Sequence, residues 1–428
     1  MKPIKVIFVV LALLLLSVTF VSAQDAAPSG DLEIFSWWVG GGEAAGLEAL
    51  IAKFSEMYPD VNVINAAVSG GSGVNARAVL QTRMLGGDPP DTFQVHAGQE
   101  LNAVYVKAGL MEPLNDIYEA NGWMDQFPEG LLKLISDSEG NIYSVPVNIH
   151  RSNVMWYIPA NLESWGVTVP ADWDEFINTT CPALKDKGVT PLSISVTWTQ
   201  MHLWESVALA VLGVDGYNGL WDGTTSWTSP EVVSVFDTFG KILDCTNDDR
   251  DALGDWQPAS QMVTEGKAAF NVMGDWAAGY FIVDLGLEPG TGFAWTPSPG
   301  TDGDFIMLSD TFGLPVGAPH PDNVKAWLSF LGTAEAQDIF NPLKGSLPAN
   351  TTADITNSDL YNAYFQDAYQ DWTTNTIVGS LTHGAVAPPD FSNGFSNIIT
   401  TFTADRDSAA ATAAADALAQ ANDMVAAS

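Results

Sequence analysis

The stretch from Leu32 to Phe54, LEIFSWWVGGGEAAGLEALIAKF, joins an apolar strand to an amphipathic helix through two adjacent tryptophans and three consecutive glycines. Alternation from Asp31 to Phe35 predicts the strand, while Leu47, Leu50, Ile51, Phe54 and Met57 recur at helical spacing and stop at Tyr58 and Pro59. A second strand is expected over residues 61–68. A strand–helix–strand opening implies parallel pairing in a sheet covered on both faces. Neighbouring strand residues face opposite sides, so Trp37 and Trp38 line one surface only if the chain turns between them. Large rings at a strand end beside a glycine turn suit a crevice better than a core, and open α/β sheets place ligands at that edge.

The alternation continues along the chain. A turn of Gly70, Gly71 and Gly73 leads into a helix through Val79, Leu80 and Met84, then a strand over residues 91–96. Residues 142–147 read as hairpin-like, and past Pro146 the character shifts toward long helices. Asp172 with Glu175 forms a capping box, and Ser229 before Pro230 and Glu231 marks another helix start, so these acids are structural. Strands are expected over 268–272 and 305–308, a single helix over 324–340, and an alanine-rich helix from Ala404. A chain of 428 residues is too long for one core, and two domains are expected.

Residues 1–23 carry Lys2 and Lys5, an apolar run and a small-residue cleavage site at Val21, Ser22 and Ala23, the pattern of an export leader. The mature chain is expected to begin near Gln24. No cysteine stands there to take a lipid, so the reading is a soluble periplasmic or secreted protein, not lipid-anchored and with no stable membrane insertion. The formal charge is −35, or −37 once Lys2 and Lys5 are discounted. Such a surface repels phosphate backbones and anionic headgroups, which excludes nucleic acid and membranes as natural partners. The two cysteines, Cys181 and Cys245, would meet an oxidising compartment, where a disulfide is expected over two free buried thiols.

The common catalytic and cofactor signatures are missing. Gly40, Gly41 and Gly42 match neither phosphate-loop spacing, and Glu43, itself an anion, follows them. His96, His150, His202, His320 and His383 are scattered, so a metal site would have to be assembled by the fold; neither cofactor nor metal is expected. The acidic run Asp244, Asp248, Asp249, Asp251 lacks the pattern of a calcium loop. What remains is a supply of 15 tryptophans and polar side chains in loops after strands. Ring faces suit the flat C–H face of a pyranose, and charged or amide groups suit its rim of hydroxyls.

Several stretches resemble the extracellular solute-binding proteins of carbohydrate ABC importers, particularly the glucose/mannose-binding branch: SWWVGGGE, GGDPPDTFQVHAG at 86–98, GLMEPL at 109–114, VPADWDEF at 169–176, MVTEGKAAFNVMGDWAAGYF at 262–281 and AEAQDIFNPLKGSLPAN at 334–350. They fall in the family's order and cover essentially the whole mature chain. The resemblance implies an α/β, two-lobe periplasmic-binding-protein-like (type II) fold with an interlobe ligand cleft and three crossing segments. One lobe would comprise 31–146 and 309–342, the other 147–308 and 343–428. It also implies a sugar site drawn from Trp37, Trp38, Glu43, Gln94, His96, Arg151, Trp256, Trp276, Asp310, Lys344 and His383.

The expected function is that of a non-enzymatic, monomeric receptor for a monosaccharide, glucose first with mannose or galactose next, which delivers its ligand to a membrane permease by hinge closure. Two rivals stand beside it. A secreted carbohydrate-active enzyme would need two carboxylates about 5 to 9 Å apart at the sugar. A static lectin-like module would need no hinge.

Overall fold

The computed structural model describes residues 27–70 and 73–426. The expected leader, its cleavage site and Gly71 lie outside the described residues. In chain order, β1 (Gly30–Phe35), β2 (Val61–Asn65), β3 (Thr92–His96) and β4 (Ser144–Pro146) precede a two-residue strand, β5 (His150–Arg151). Then come β6 (Val154–Tyr157), β7 (Thr190–Ser193), β8 (Ala268–Val272), β9 (Ala294–Pro297), β10 (Asp304–Leu308), β11 (Asp310–Gly313) and β12 (Thr376–Gly379).

The first lobe is built on a sheet ordered β2-β1-β3-β11-β4. β1 pairs in parallel with β2 and β3, while β11 returns antiparallel between β3 and β4. Every residue of β3 is buried, as a strand covered on both faces requires. β2 stops at Asn65, but Ala66 and Val68 still donate backbone hydrogen bonds to Ile34 and Ser36, so the expected longer strand survives as extended chain beside β1. The segment read as hairpin-like gives β4, whose partner is β11 from far along the chain. The single helix expected over 324–340 is two, Pro321–Leu331 and Ala334–Lys344, because Thr333 caps a new start by accepting from the amide of Ala336.

The second lobe carries a sheet ordered β7-β8-β6-β9. Around it pack the helices Thr197–Asp222 (kinked at Gly213), Pro230–Leu243, Pro389–Ala404 and Ser408–Ala426, whose apolar faces share one core. The capping box is reciprocal: Asp172 accepts from Glu175 N, and the Glu175 carboxylate accepts from Ala171 N. Cys181 and Cys245 form a disulfide across 64 residues, a closure that stabilises by about 4 kcal/mol on loop entropy.

Between the lobes a third sheet, β12-β10-β5, joins the two. β5 lies between β4 of one lobe and β6 of the other, and only Ser309 separates β10 from β11. The antiparallel pairing of Leu308 with His150 therefore binds two crossings to each other. Asn350 donates to Gly332 O and Thr351 N to Gln126 O, so this stretch still packs on the first lobe.

Candidate functional site

At the mouth of the crossings the lobes face each other across a cleft of about 540 Å³, part of it open to solvent. The first-lobe wall presents Trp37, Glu43, Arg77, His96, Asp310 and Lys344; the facing wall presents Trp198, Trp256, Trp276, Thr382 and His383; His150 and Leu308 lie at the crossing strands.

The opening motif builds the first wall. β1 ends at Phe35, and the two tryptophans then part company. Trp37 turns to the cavity, 5.1 Å from the His96 ring, with the Arg77 guanidinium 5.5 Å from its ring centre. Trp38 goes into the core, 1% exposed, against Phe312 and Phe340. The glycines serve a second purpose besides turning the chain. A Cβ on Gly42 would sit 2.0 Å from the Leu343 carbonyl, and one on Gly46 would strike Phe340 at 2.8 Å. Their bareness lets helix Gly41–Met57 lie directly on helix Ala334–Lys344. That approach brings Lys344 Nζ to 2.7 Å from Glu43. Lys344 is almost fully buried and stands 5.7 Å from the ring centres of both Trp38 and Trp276, so its charge reaches both lobes.

Asp310 is the electrostatic centre. Its carboxylate accepts from Gln94 Nε2 at 2.7 Å and Asn148 Nδ2 at 2.8 Å, with His150 Nε2 at 3.3 Å and His96 Nε2 at 3.6 Å. Burial pushes this carboxyl up, but the His150 hydrogen bond and the charges of Lys344, His150 and His96 outweigh it and hold the group well below the usual carboxylate range. His150 reaches the other way too, its Nδ1 bonded to Asp275 beside β8. Burial would depress its pKa; Asp275 overcomes that and raises it. An imidazole in the crossing strand thus ties one carboxylate of each lobe.

The second wall is aromatic. Trp276 follows Gly274, where a Cβ would meet the indole at 2.3 Å, so the GDW turn folds the ring back over the strand end. Around it lie His383 at 5.1 Å, His150 at 5.4 Å, His202 at 5.7 Å and Trp198 at 6.4 Å. Trp256 begins the helix Trp256–Thr264 and meets Tyr280 edge-on. Burial, then the neighbouring His202 and His96, hold His383 well below its ordinary pKa, so the ring is neutral.

The structure brings together Trp37, Glu43, His96, Trp256, Trp276, Asp310, Lys344 and His383. Three of the residues singled out from sequence stand outside the lining. Trp38 braces the wall from behind. Gln94 lies beneath it, donating to Asp310 and accepting from Trp37 N at 3.2 Å. Arg151 points away from the cleft, because neighbours on a strand face opposite sides and His150 takes the cleft side. Its guanidinium pairs with Asp371, donates to Asp304 O and lies 5.2 Å over Phe305. Arg77, His150, Trp198 and Thr382 were not anticipated, and only His150, one residue from Arg151 on the crossing strand, carried a signal that could have found it.

The bacterial extracellular solute-binding protein model matches residues 40–338. An uncharacterized ABC transporter extracellular-binding protein of Pyrococcus horikoshii is 36% identical over 385 residues, covering 88% of this chain and 84% of that one. A probable sugar-binding periplasmic protein of Mesorhizobium japonicum is 33% identical over 403 residues, covering 90% and 92%. Among solved structures, the bacterial solute receptor AcbH superposes with a TM-score of 0.82 at 18% identity, over 93% of this chain and 99% of that one. Two lobes around a cleft, three crossings and this match over most of its length make the chain a member of the bacterial extracellular solute-binding protein family.

Proposed function

We propose that this protein is an extracytoplasmic receptor that closes on a monosaccharide, glucose first with mannose or galactose next, and presents it to the permease of an ABC importer without chemical turnover. The observation that carries the reading is one small cavity in which tryptophan faces stand opposite a dense set of charged hydrogen-bonders. Trp37 and Trp276 offer faces to the C–H side of a pyranose, while Glu43, Lys344 and Asp310 suit its hydroxyls. The sugar-binding name of the Mesorhizobium japonicum relative points the same way.

Sugar taken up by one lobe favours the closed state because the other adds contacts available only on closure. We take the lobes as 31–146 with 309–351 and 147–308 with 352–428, which moves the third crossing past Thr351. A glycosidase would need a carboxyl kept protonated as general acid. Asp310 is held as an anion and Glu43 is ion-paired, which argues against the enzyme reading.

A thermal-shift screen over mono- and disaccharides tests the proposal, since a ligand bound only by the folded state raises the apparent melting temperature. We expect a hexose to give the largest shift, with compaction in small-angle scattering. Release of glucose from glucosides would instead make the protein an enzyme, and binding without compaction would make it a static module.

A further inference from the structure

Behind the aromatic wall lies a hydrogen-bonded cluster whose centre, Glu205, does not itself line the cavity. Glu205, on helix Thr197–Asp222, is fully buried and accepts from Ser152 Oγ, from Ser380 Oγ at 3.0 Å and from Thr382 N at 3.0 Å. Each serine also touches a histidine: Ser152 Oγ lies 3.3 Å from His202 Nδ1, and Ser380 Oγ lies 2.9 Å from His383 Nδ1.

We propose that Glu205 is a positioning residue which, acting through Ser380 and Ser152, fixes His383 and His202 in the Nδ1–H tautomer, so that His383 offers a bare Nε2 lone pair to a ligand O–H in the cleft. The argument is a count of protons. Ser380 Oγ has one hydrogen and two lone pairs, and the backbone N–H of His383 donates to one lone pair at 3.2 Å. Burial raises the Glu205 carboxyl, against which the hydrogen bonds from Ser152, Thr382 and Ser380 favour the ionised form the count requires; with the serine proton given to that carboxylate, the remaining lone pair takes a proton from His383 Nδ1. His383 lines the cavity with its other ring edge, so the group that meets the ligand is an acceptor. The same count at Ser152 leaves His202 Nε2 without a proton, and that atom is buried and unpartnered. An orphan lone pair there avoids the larger cost of a stranded N–H. Neutral imidazoles are required, and burial keeps His202 near a pKa of about 3.

His202, Glu205 and His383 also stand close enough to invite a divalent cation. However, the lone pairs of Glu205 are already directed at three donors, and a metal would have to displace them.

The tautomer assignment is independent of the ligand, whereas the reading of the lone pair rests on the proposed sugar receptor. Long-range ¹H–¹⁵N spectra of the ligand-free protein should show protonated Nδ1 and bare Nε2 for both histidines; an Nε2–H signature in His383 overturns the proposal. Glu205→Gln reverses the relay, because its amide donates to Ser380 and sends the serine proton to His383 Nδ1. We expect the His383 pattern to switch and hexose affinity to fall about tenfold or more, the size of one buried hydrogen bond. An unchanged pattern in a folded E205Q protein sinks the idea. Should that variant not fold, Ser380→Ala should lose the fixed tautomer and Ser380→Thr restore it; an unmoved pattern in S380A counts against the relay. Saturation by stoichiometric Zn²⁺ with shifts at both rings would reassign the cluster to a cation. If the spectra fit and no sugar binds, the receptor reading fails and the tautomer stands.

Discussion

On the first-lobe wall Glu43, Lys344 and Asp310 meet as ions in a nearly dry setting, each held by a partner from a distant part of the chain. The second-lobe wall instead gathers Trp198, Trp256, Trp276 and neutral His383. Ions fixed before the ligand arrives require no reorganisation to meet hydroxyls, and flat rings can slide onto a sugar face with little directional demand. The contrast suggests that the first lobe selects and the second covers.

The largest effect is expected where the ions are removed. Asp310→Ala leaves His150, Gln94 and Asn148 facing an emptied buried site, and breaking such a network from one side costs about 3–5 kcal/mol. Urea unfolding should register that loss, and a variant as stable as wild type would demote Asp310 from the centre of the first wall.

The neighbouring tryptophans separate bracing from contact. Trp38→Ala empties a core position and should lower stability by about 3 kcal/mol or more. Trp37→Ala and Trp276→Ala should cost about 1–3 kcal/mol of sugar affinity per lost ring in calorimetry. Equal affinity losses for Trp37→Ala and Trp38→Ala would contradict their division of roles.

The smallest effect is in pH dependence. His150 has a raised pKa, so its contribution is complete below the ordinary value of 6.5 and is lost as pH rises through the raised one. His202, lowered to about 3, acts oppositely, and its contribution is lost as pH falls from 6.5 toward that value. Wild-type stability should therefore peak near neutrality. His150→Gln should flatten the alkaline limb alone; a limb that persists unchanged would mean that His150 does not tie the lobes as an imidazolium.

Much of this was legible because it is local. Period-two alternation marked β1, strands were also expected where β3, β8 and β10 lie, the capping box marked a helix start, and strand-end motifs marked Trp37, His96 and Trp276. Side was harder to read than position. Trp37 and Trp38, like His150 and Arg151, occupy adjacent places on a strand or its end, and one of each pair must face away. Alternation says so without saying which. Arg77, Trp198 and Thr382 were invisible for another reason, since each belongs to an element whose own pattern serves its lobe and only the docking of the lobes turns it to the cleft.

The sequence by itself determined most of the elements and the aromatic turn that opens the chain, since periodicity, caps and glycines act over a few residues, while the two-lobe α/β plan was implied by its resemblance to a known family. Tertiary structure alone decided that Lys344 meets Glu43, that His150 bridges Asp275 and Asp310, and that three of the five histidines line one cleft with His202 packed behind it. Those partners come from segments far apart in the chain. Their pairing depends on how closely two helices approach and where the chain crosses between sheets, which residue spacing does not encode.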